Sequence, residues 1–521
     1  MISKRISNSV FILSLSLIAI ISLLFRLKGL VDNPPFWVDE FSTAHQARHV
    51  LQYGIDVFKS VNIPPIYFED RNITTHFLVA VFFSVFGEKE WVARLPIALI
   101  GSLVPGLLML LARRIFDVRT AILAGILTAF SYYEIAWSRQ ARGYMIQQFL
   151  TILTIYFYIK LTDRKKVHFS DIVLLSASIV LGILTHPLFL LLVFCLLVHY
   201  LLTKNREEIL TLFKRAYTYI VVLSLALILF KLGVFQSVLS NIGKVNNVWY
   251  YHSFLWREYG LLTFLAVLGL YSAIVLKKRF ILPIALFLVI NIVYLCFLLG
   301  PYTSRYLNPI FPFILLFSAY FITSSLDQMK KPRLLHIMAP FLFALFLIVN
   351  GHKFDLKPNS FYSINHDFRE VAIINYHQVY DLIKRKGDLR SGQTVVIETW
   401  PDRASWYLGQ DFVHLSLLHW KKSGVINGIA TGITPFILNK AGEKVSKAYP
   451  TMGYISELSD LRLTMKRYPR GFLFIDDASM PEDVIEYAEN NFKKEIYLDH
   501  YPLDDNPYSI WPATLYSWGI K

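Results

Sequence analysis

Long apolar runs separated by short clusters of lysine and arginine dictate what this chain can fold into. The clusters are Lys4/Arg5, Arg113/Arg114/Arg119, Arg164/Lys165/Lys166, Lys204/Arg206/Lys214/Arg215, Lys277/Lys278/Arg279 and Lys330/Lys331/Arg333. A helix crossing a ~30 Å hydrocarbon core needs about 20 apolar residues, and basic clusters stay on the cytoplasmic side. If all of these clusters are cytoplasmic, each neighbouring pair encloses an even number of spans. The apolar segments satisfy that rule at 8–27, 92–112, 120–138, 143–161, 171–185, 187–203, 216–232, 259–276, 281–299, 305–325 and 334–350. The expected fold class is therefore an α-helical multi-pass membrane protein with about eleven spans. Parity requires the break at Thr185-His186-Pro187, where proline gives the chain a place to turn.

Composition agrees. The 521 residues are 55% hydrophobic and only 17% charged, whereas a soluble domain carries about a quarter charged residues. The net charge of +15 sits in clusters between apolar runs and accompanies no nucleic-acid-binding motif, so it reads as membrane orientation. Cys195 and Cys296 lie inside apolar runs, and the chain beyond residue 350 has no cysteine. The apolar stretch Val10–Phe25 is followed by Arg26 and Lys28 without a small-residue cleavage site, which reads as an uncleaved first span.

This topology places four segments outside: the loop 28–91, the turn Glu134–Tyr144, the aromatic-rich 233–258, and the tail after 350. Thr75–Gly87, within the first loop, is too short to span and reads as an interfacial or packed helix. The expected domains are a transmembrane domain, 1–350, and an extracytoplasmic α/β domain, 351–521. In the tail, Gln393–Trp400 and Gly471–Asp477 read as buried strands, Pro481–Phe492 as a helix and Lys494–Tyr501 as a further strand.

Chemistry concentrates on the outer face. FWVDEFSTA, Phe36–Ala44, sets Asp39 and Glu40 just after the first span. A positioned carboxylate, made more basic by partial loss of water, is the kind of base that deprotonates an attacking hydroxyl. An acid at this position also suits a helix N-cap, with Asp39 capping a helix that starts at Glu40. SYYEIAWSRQARGYM, Ser131–Met145, carries Arg139 and Arg142 against the charge bias, and Arg305 stands likewise at the outer end of a later span. Arginine's fork fits phosphate oxygens; ion pairing with Glu134 or with Asp39/Glu40, or snorkelling of Arg305, would also account for these charges. His186 reads as a packed or capping histidine, and no His/Cys/Asp spacing indicates a metal.

At this point the sequence resembles the GT-C integral-membrane glycosyltransferases. An acidic pair follows the first span; then come FGEKEWVARLPIALIGSL (Phe86–Leu103), RRIF (Arg113–Phe116), SRQARGYM (Ser138–Met145), THP (Thr185–Pro187) and SRYLNPIFP (Ser304–Pro312). Their order over residues 8–350 looks like the branch of protein O-mannosyltransferases, lipid A aminoarabinose transferases and family 39, RgtA/B/C/D-like proteins. The resemblance implies sugar transfer from a polyprenyl-phosphate carrier to an acceptor hydroxyl at the outer face of a cell membrane. It matches Asp39 to the catalytic carboxylate and Glu40 to its acidic neighbour. It matches Arg142 with Tyr144 to the second-loop Arg-x-Tyr and Arg305 with Tyr306 to the later Arg-Tyr, candidates for binding the donor phosphate. Many bacterial relatives have Glu-Ala-Arg where this chain has Gln140-Ala141-Arg142, leaving Glu134 as a possible second-loop acid. Arg71 is a further donor-phosphate candidate. The partners implied are a polyprenyl-phosphate sugar and membrane lipids; no cofactor is indicated, and a divalent metal is possible but not indicated. The rival classes are a lipid-linked-sugar flippase, which would place charges near the bilayer midplane, and a polymerase or ligase using a pyrophosphate-linked donor.

Overall fold

Inside hydrocarbon each backbone N–H and C=O must bond within its own segment, which drives an apolar run into helix. The computed structural model of the chain is accordingly helical over most of its described residues up to 327. Described are residues 2–32, 35–60, 72–163, 168–203, 236, 240–300, 302–327, 342, 344–345, 353–358, 374–399, 401–409, 412–417, 425–426, 429–430, 436–446, 453–476, 481–498 and 513–520.

The helices are α1 Ile2–Leu27, α2 Val38–Tyr53, α3 Ile73–Phe86, α4 Glu90–Ile115, α5 Val118–Phe130, α6 Tyr132–Ser138, α7 Tyr144–Asp163, α8 Phe169–Thr185 and α9 Phe189–Leu202. They continue with α10 Val248–Ser253, α11 Gly260–Val275, α12 Ile281–Phe297 and α13 Phe311–Asp327. The chain divides into two compact units. One is Met1–Val31, Arg71–Thr75 and Arg94–Tyr362; the other is Asp32–Asp70, His76–Ala93 and Ser363–Lys521. The first is called here the helical unit and the second the mixed unit.

In the helical unit the expected break at residues 185–187 is present, with α8 ending at Thr185 and α9 starting at Phe189. Two expectations need correction. The segment 120–138 is not one helix: Ser131 is extended (φ −62, ψ 122), and its hydroxyl accepts from the Glu134 amide, ending α5 and capping the short α6. The segment 305–325 is also divided, because Ser304–Leu307 forms a 3₁₀ turn and α13 begins only at Phe311. The segments 216–232 and, except for residues 342, 344 and 345, 334–350 lie outside the described residues.

The count of about eleven spans is also only partly met. Among the described residues two helices are long and apolar enough to cross a bilayer, Asn8–Leu27 and Glu90–Ile115. A third results if Val248–Glu258 and Gly260–Val275, bent by 102° at their junction, form one span. The apolar helices α3, α5, α8, α9, α12 and α13 have 13–17 residues, so each covers about 20–26 Å at 1.5 Å per residue. Helix pairing is close where side chains vanish: a Cβ on Gly269 of α11 would lie 2.1 Å from the Phe317 carbonyl oxygen of α13.

The mixed unit contains an eight-stranded sheet, ordered β5-β6-β7-β2-β1-β8-β10-β9. Its strands are β1 Thr394–Glu398, β2 Val413–Leu417, β5 Phe436–Leu438, β6 Lys444–Ser446, β7 Gly453–Ile455, β8 Arg470–Ile475, β9 Lys493–Leu498 and β10 Ala513–Trp518; β3 Val425–Ile426 and β4 Ile429–Ala430 form a separate hairpin. The centre is parallel (β7, β2, β1, β8), and β10 pairs antiparallel with both β8 and β9. β1 and the central residues of β8 are buried throughout, which is why both read as continuous apolar runs. Four helices accompany the sheet: α14 Tyr376–Lys386, α15 Pro401–Leu408, α16 Leu458–Arg467 and α17 Glu482–Asn491. Val395, Ile397, Leu473, Ile455, Leu461, Val484 and Trp518 share one core.

At the carboxyl ends of β1 and β8, Arg403 of α15 is fully buried between two acids. Its Nε donates to Glu398 Oε2 at 2.9 Å and to the Tyr380 hydroxyl at 3.0 Å, and its Nη1 pairs with Asp476. The guanidinium also lies over the Tyr376 ring at 4.6 Å and the Phe474 ring at 4.9 Å. Burial pushes the Glu398 carboxyl up despite the neighbouring arginine.

His414 on β2 stands nearby, its Nε2 3.5 Å from Glu398 Oε1 and its side chain 6% exposed. Burial, and then the Arg403 charge, push its pKa down to about 3. Below pH ~6.5 the unfolded chain takes up a proton that the folded chain refuses, so stability falls as pH drops from there toward 3. The expected slope is about 1.4 kcal/mol per pH unit. Glu398 titrates in the opposite sense, so the diagnostic is the difference between wild type and His414→Leu in thermal melts at pH 4–7. The substitution should flatten the acid-side fall, and parallel curves would show that His414 does not titrate there.

Candidate active site

The sequence-selected residues fall into both compact units. In the mixed unit, α2 carries the acidic pair in its first turn, where the helix dipole favours negative charge. The capping expectation fails. Trp37, in extended conformation (φ −92, ψ 170), is the N-cap, and Asp39 is already the second helical residue. Asp39 is half-buried, and its carbonyl accepts from the Thr43 hydroxyl at 3.2 Å. Glu40 is fully buried. Below them α2 buries Thr43, Gln46 and His49, and the His45 and His49 rings lie 4.4 Å apart. Phe41, Ala44, Ala47 and Val50 are buried beside them, so α2 packs polar and apolar side chains together. The i, i+4 histidines were the sequence signal for it, and sequence reasoning passed over them. Among the described residues no three of His, Cys, Asp and Glu gather in a metal-binding arrangement.

In the helical unit three chain segments converge: the start of α7, the end of α8 and the 3₁₀ turn before α13. The Arg305 guanidinium carbon lies 5.9 Å from the Tyr144 ring centre and 5.8 Å from that of Tyr306. The His186 ring completes the group, 5.7 Å from Tyr144 and 6.1 Å from Tyr306. Its Nδ1 accepts the Leu188 amide at 3.2 Å, which leaves the ring hydrogen of the neutral form on Nε2. Sequence reasoning had set His186 aside. Trp137 backs Tyr144 at 5.4 Å, and the Tyr133 hydroxyl donates to the Ser304 carbonyl at 2.7 Å, holding the turn that bears Arg305.

Arg142 is buried two residues before Tyr144, with its amide donating to the Gln140 carbonyl at 2.8 Å. Gly143 between them has no room for a side chain: a Cβ there would meet the Thr75 hydroxyl at 2.7 Å and Asn72 Oδ1 at 3.0 Å. Arg139 has a different duty from Arg142. Its guanidinium donates to the carbonyls of Lys28 at 2.6 Å and Gly29 at 2.9 Å, satisfying backbone just past the end of α1. Arg26, also fully buried, bonds Ser138 Oγ at 3.0 Å and Ser22 Oγ at 2.8 Å.

Glu134 is enclosed in the helical unit. Its Oε1 accepts from Gln148 Nε2 at 2.9 Å, and the same amide group donates to the Asn308 carbonyl at 2.7 Å. That bridge ties α6, α7 and the turn bearing Arg305. Arg71 lies outside the described residues.

The family model described as dolichyl-phosphate-mannose-protein mannosyltransferase matches residues 70–232. No curated protein matches the chain by sequence. Among solved structures, apo ArnT from Cupriavidus metallidurans is similar at 12% identity and TM-score 0.57, covering 99% of this chain and 98% of that one. The same protein bound to undecaprenyl phosphate aligns at 14% identity and TM-score 0.51, covering 98% and 97%. The archaeal oligosaccharyltransferase AglB from Archaeoglobus fulgidus, in complex with an inhibitory peptide and a dolichol-phosphate, aligns at 12% identity and TM-score 0.55, covering 94% and 73%. This chain therefore has a helical GT-C-like fold with a C-terminal sheet region, and within it residues 70–232 are matched by the dolichyl-phosphate-mannose-protein mannosyltransferase family.

Proposed function

We propose that the protein is a membrane glycosyltransferase that moves a sugar from a polyprenyl-phosphate carrier to an acceptor hydroxyl by a single inverting displacement. The observation that carries the reading is the convergence of Arg305, Tyr144, Tyr306 and His186 from three distant segments of a chain with this fold. A cation beside aromatic and hydroxyl-bearing rings suits a phosphate joined to an apolar tail.

In this reading Arg305 and Arg142 hold the donor phosphate with Tyr144 and Tyr306, and Arg71 is a further candidate ligand for it. The acceptor oxygen attacks the anomeric carbon, the carbon–oxygen bond to phosphate breaks, and Asp39 takes the hydroxyl proton. The leaving polyprenyl phosphate keeps the bonding electrons, and the arginines stabilise its growing charge. Glu40 steadies the turn that bears Asp39, and Glu134 with Gln148 holds the Arg305 turn. Residues 1–350 form the transferase domain with about eleven spans. The loop 28–91 and residues 351–521 face the outside of the plasma membrane.

The test is donor binding. Arg305→Gln and Arg142→Gln should each weaken affinity for a polyprenyl-phosphate sugar about 10–100-fold, the value of a charge-assisted hydrogen bond of about 1.5–3 kcal/mol. Titration of the purified protein with a fluorescent polyprenyl phosphate measures this. Wild-type affinity in both variants removes the clamp.

A further inference from the structure

Within the mixed unit, the aromatic residues around the acidic pair have partners on α14 and α15. Phe36, three residues before Asp39, meets the Trp406 ring at 5.3 Å. Phe41, two residues after it, meets Tyr407 at 5.6 Å and Tyr376 at 5.9 Å, edge-on in both cases. Phe36 and Phe41 also touch each other at 5.6 Å. The turn bearing Asp39 is therefore gripped on both sides by rings from α14 and α15.

Trp406 has partners beyond Phe36. Phe83 of α3 stacks on it at 6.0 Å, with 29° between the planes. The Arg48 guanidinium of α2 lies over it at 4.0 Å and donates to the neighbouring Ser405 carbonyl at 3.5 Å. Arg48 Nε in turn pairs with Glu88 at 2.5 Å. Tyr407, next along α15, donates to Glu90 Oε1 at 2.5 Å and stacks on Tyr380 at 4.8 Å. Tyr380 bonds Glu398 and Arg403 in the buried ion cluster. A continuous path of packed groups thus runs from the sheet, through α15, to the first turn of α2.

We propose that α15 is the platform that fixes the pose of Asp39, with Trp406 as a positioning residue for the transfer reaction. The inference rests on the assignment of Asp39 as the base. A general base must lie within hydrogen-bond reach of its proton, and a 1 Å displacement lowers the rate about 100-fold. Trp406 touches neither donor nor acceptor in this scheme; it acts through Phe36 and the α2 backbone. Loss of its ring removes the contact of Phe36 with α15, leaves its contact with Phe41, and loosens the turn.

The experiment is a double-mutant cycle of Trp406→Ala and Asp39→Asn, read as sugar transfer by the full-length protein from a labelled polyprenyl-phosphate sugar. Trp406→Ala alone should lower kcat about 10–100-fold with donor KM unchanged, whereas Trp406→Phe, which keeps a ring against Phe36 and Phe83, should restore most of the rate. In the Asp39→Asn background Trp406→Ala should cost nothing further, because the group it positions is gone. A change that only reduced the folded fraction would lower the rate equally in both backgrounds, and that result overturns the proposal. Wild-type activity of Trp406→Ala overturns it too. Near-normal transfer by Asp39→Asn alone would instead remove the base assignment, so the two failures are distinct.

Discussion

Asp39→Asn is expected to reduce sugar transfer about 10²–10⁴-fold in membranes that contain normal amounts of correctly inserted protein, the range that a positioned general base contributes. The substitution is nearly isosteric and sits on a half-buried side chain, so the fold should tolerate it. α2 should survive because its N-cap is Trp37 rather than Asp39. Phe36 and Phe41 keep their contacts with Trp406, Tyr407 and Tyr376. Donor affinity should stay within about twofold of wild type, since the proposed phosphate ligands are elsewhere. A combined measurement of donor binding and turnover therefore separates chemistry from folding. Full turnover by the variant would return Asp39 to the status of an ordinary first-turn acid.

The second large effect is expected at Arg403. Replacing it by leucine leaves Glu398 and Asp476 facing each other in a site from which water is excluded. Breaking a buried pair by removal of one partner destabilises by about 3–5 kcal/mol. The sheet also loses the contacts of the guanidinium with Tyr376 and Phe474. Thermal unfolding and limited proteolysis of the intact protein should show the region 374–518 opening first. Because Tyr380 and Tyr407 link the cluster to Phe41, turnover should fall with it while donor binding persists. Replacement of Arg403, Glu398 and Asp476 together by Met, Leu and Leu should recover part of the lost stability, as apolar substitutes for buried ion groups do. Unchanged protease resistance in Arg403→Leu would mean the cluster contributes little.

Helix identity was readable because apolar periodicity and proline positions are local signals, and the break at Thr185–Pro187 fell where parity put it. Ser131 was harder. A cap residue inside an apolar run leaves hydropathy unchanged, so α5 and α6 read as one segment. In the tail, β1 and β8 were legible as buried apolar strands, whereas β10 was missed because ATLYSW mixes polar and apolar residues on a strand paired on both sides. At the site, arginines on the depleted side of the charge bias were visible, but their duties were not. Arg139 caps backbone while Arg305 stands among rings, a difference that depends on segments more than 100 residues apart. His186 was passed over because a lone histidine at a turn has many bland explanations, and only Tyr144 and Tyr306 give it a setting.

The mixed unit joins residues 32–70 and 76–93 to residues 363–521, which has a consequence for how the protein is made. The turn bearing Asp39 leaves the ribosome about 365 residues ahead of Trp406, a delay of about 20–70 s at 5–20 residues per second. During that interval Phe36, Phe41 and Phe83 lack Trp406, Tyr407 and Tyr376 as partners. The growing chain therefore holds its proposed base in an unfinished turn until α14 and α15 are translated and folded. A chain truncated before α14 would insert its early helices and yet remain inert, so competence for transfer would be granted only to molecules that carry α14 and α15.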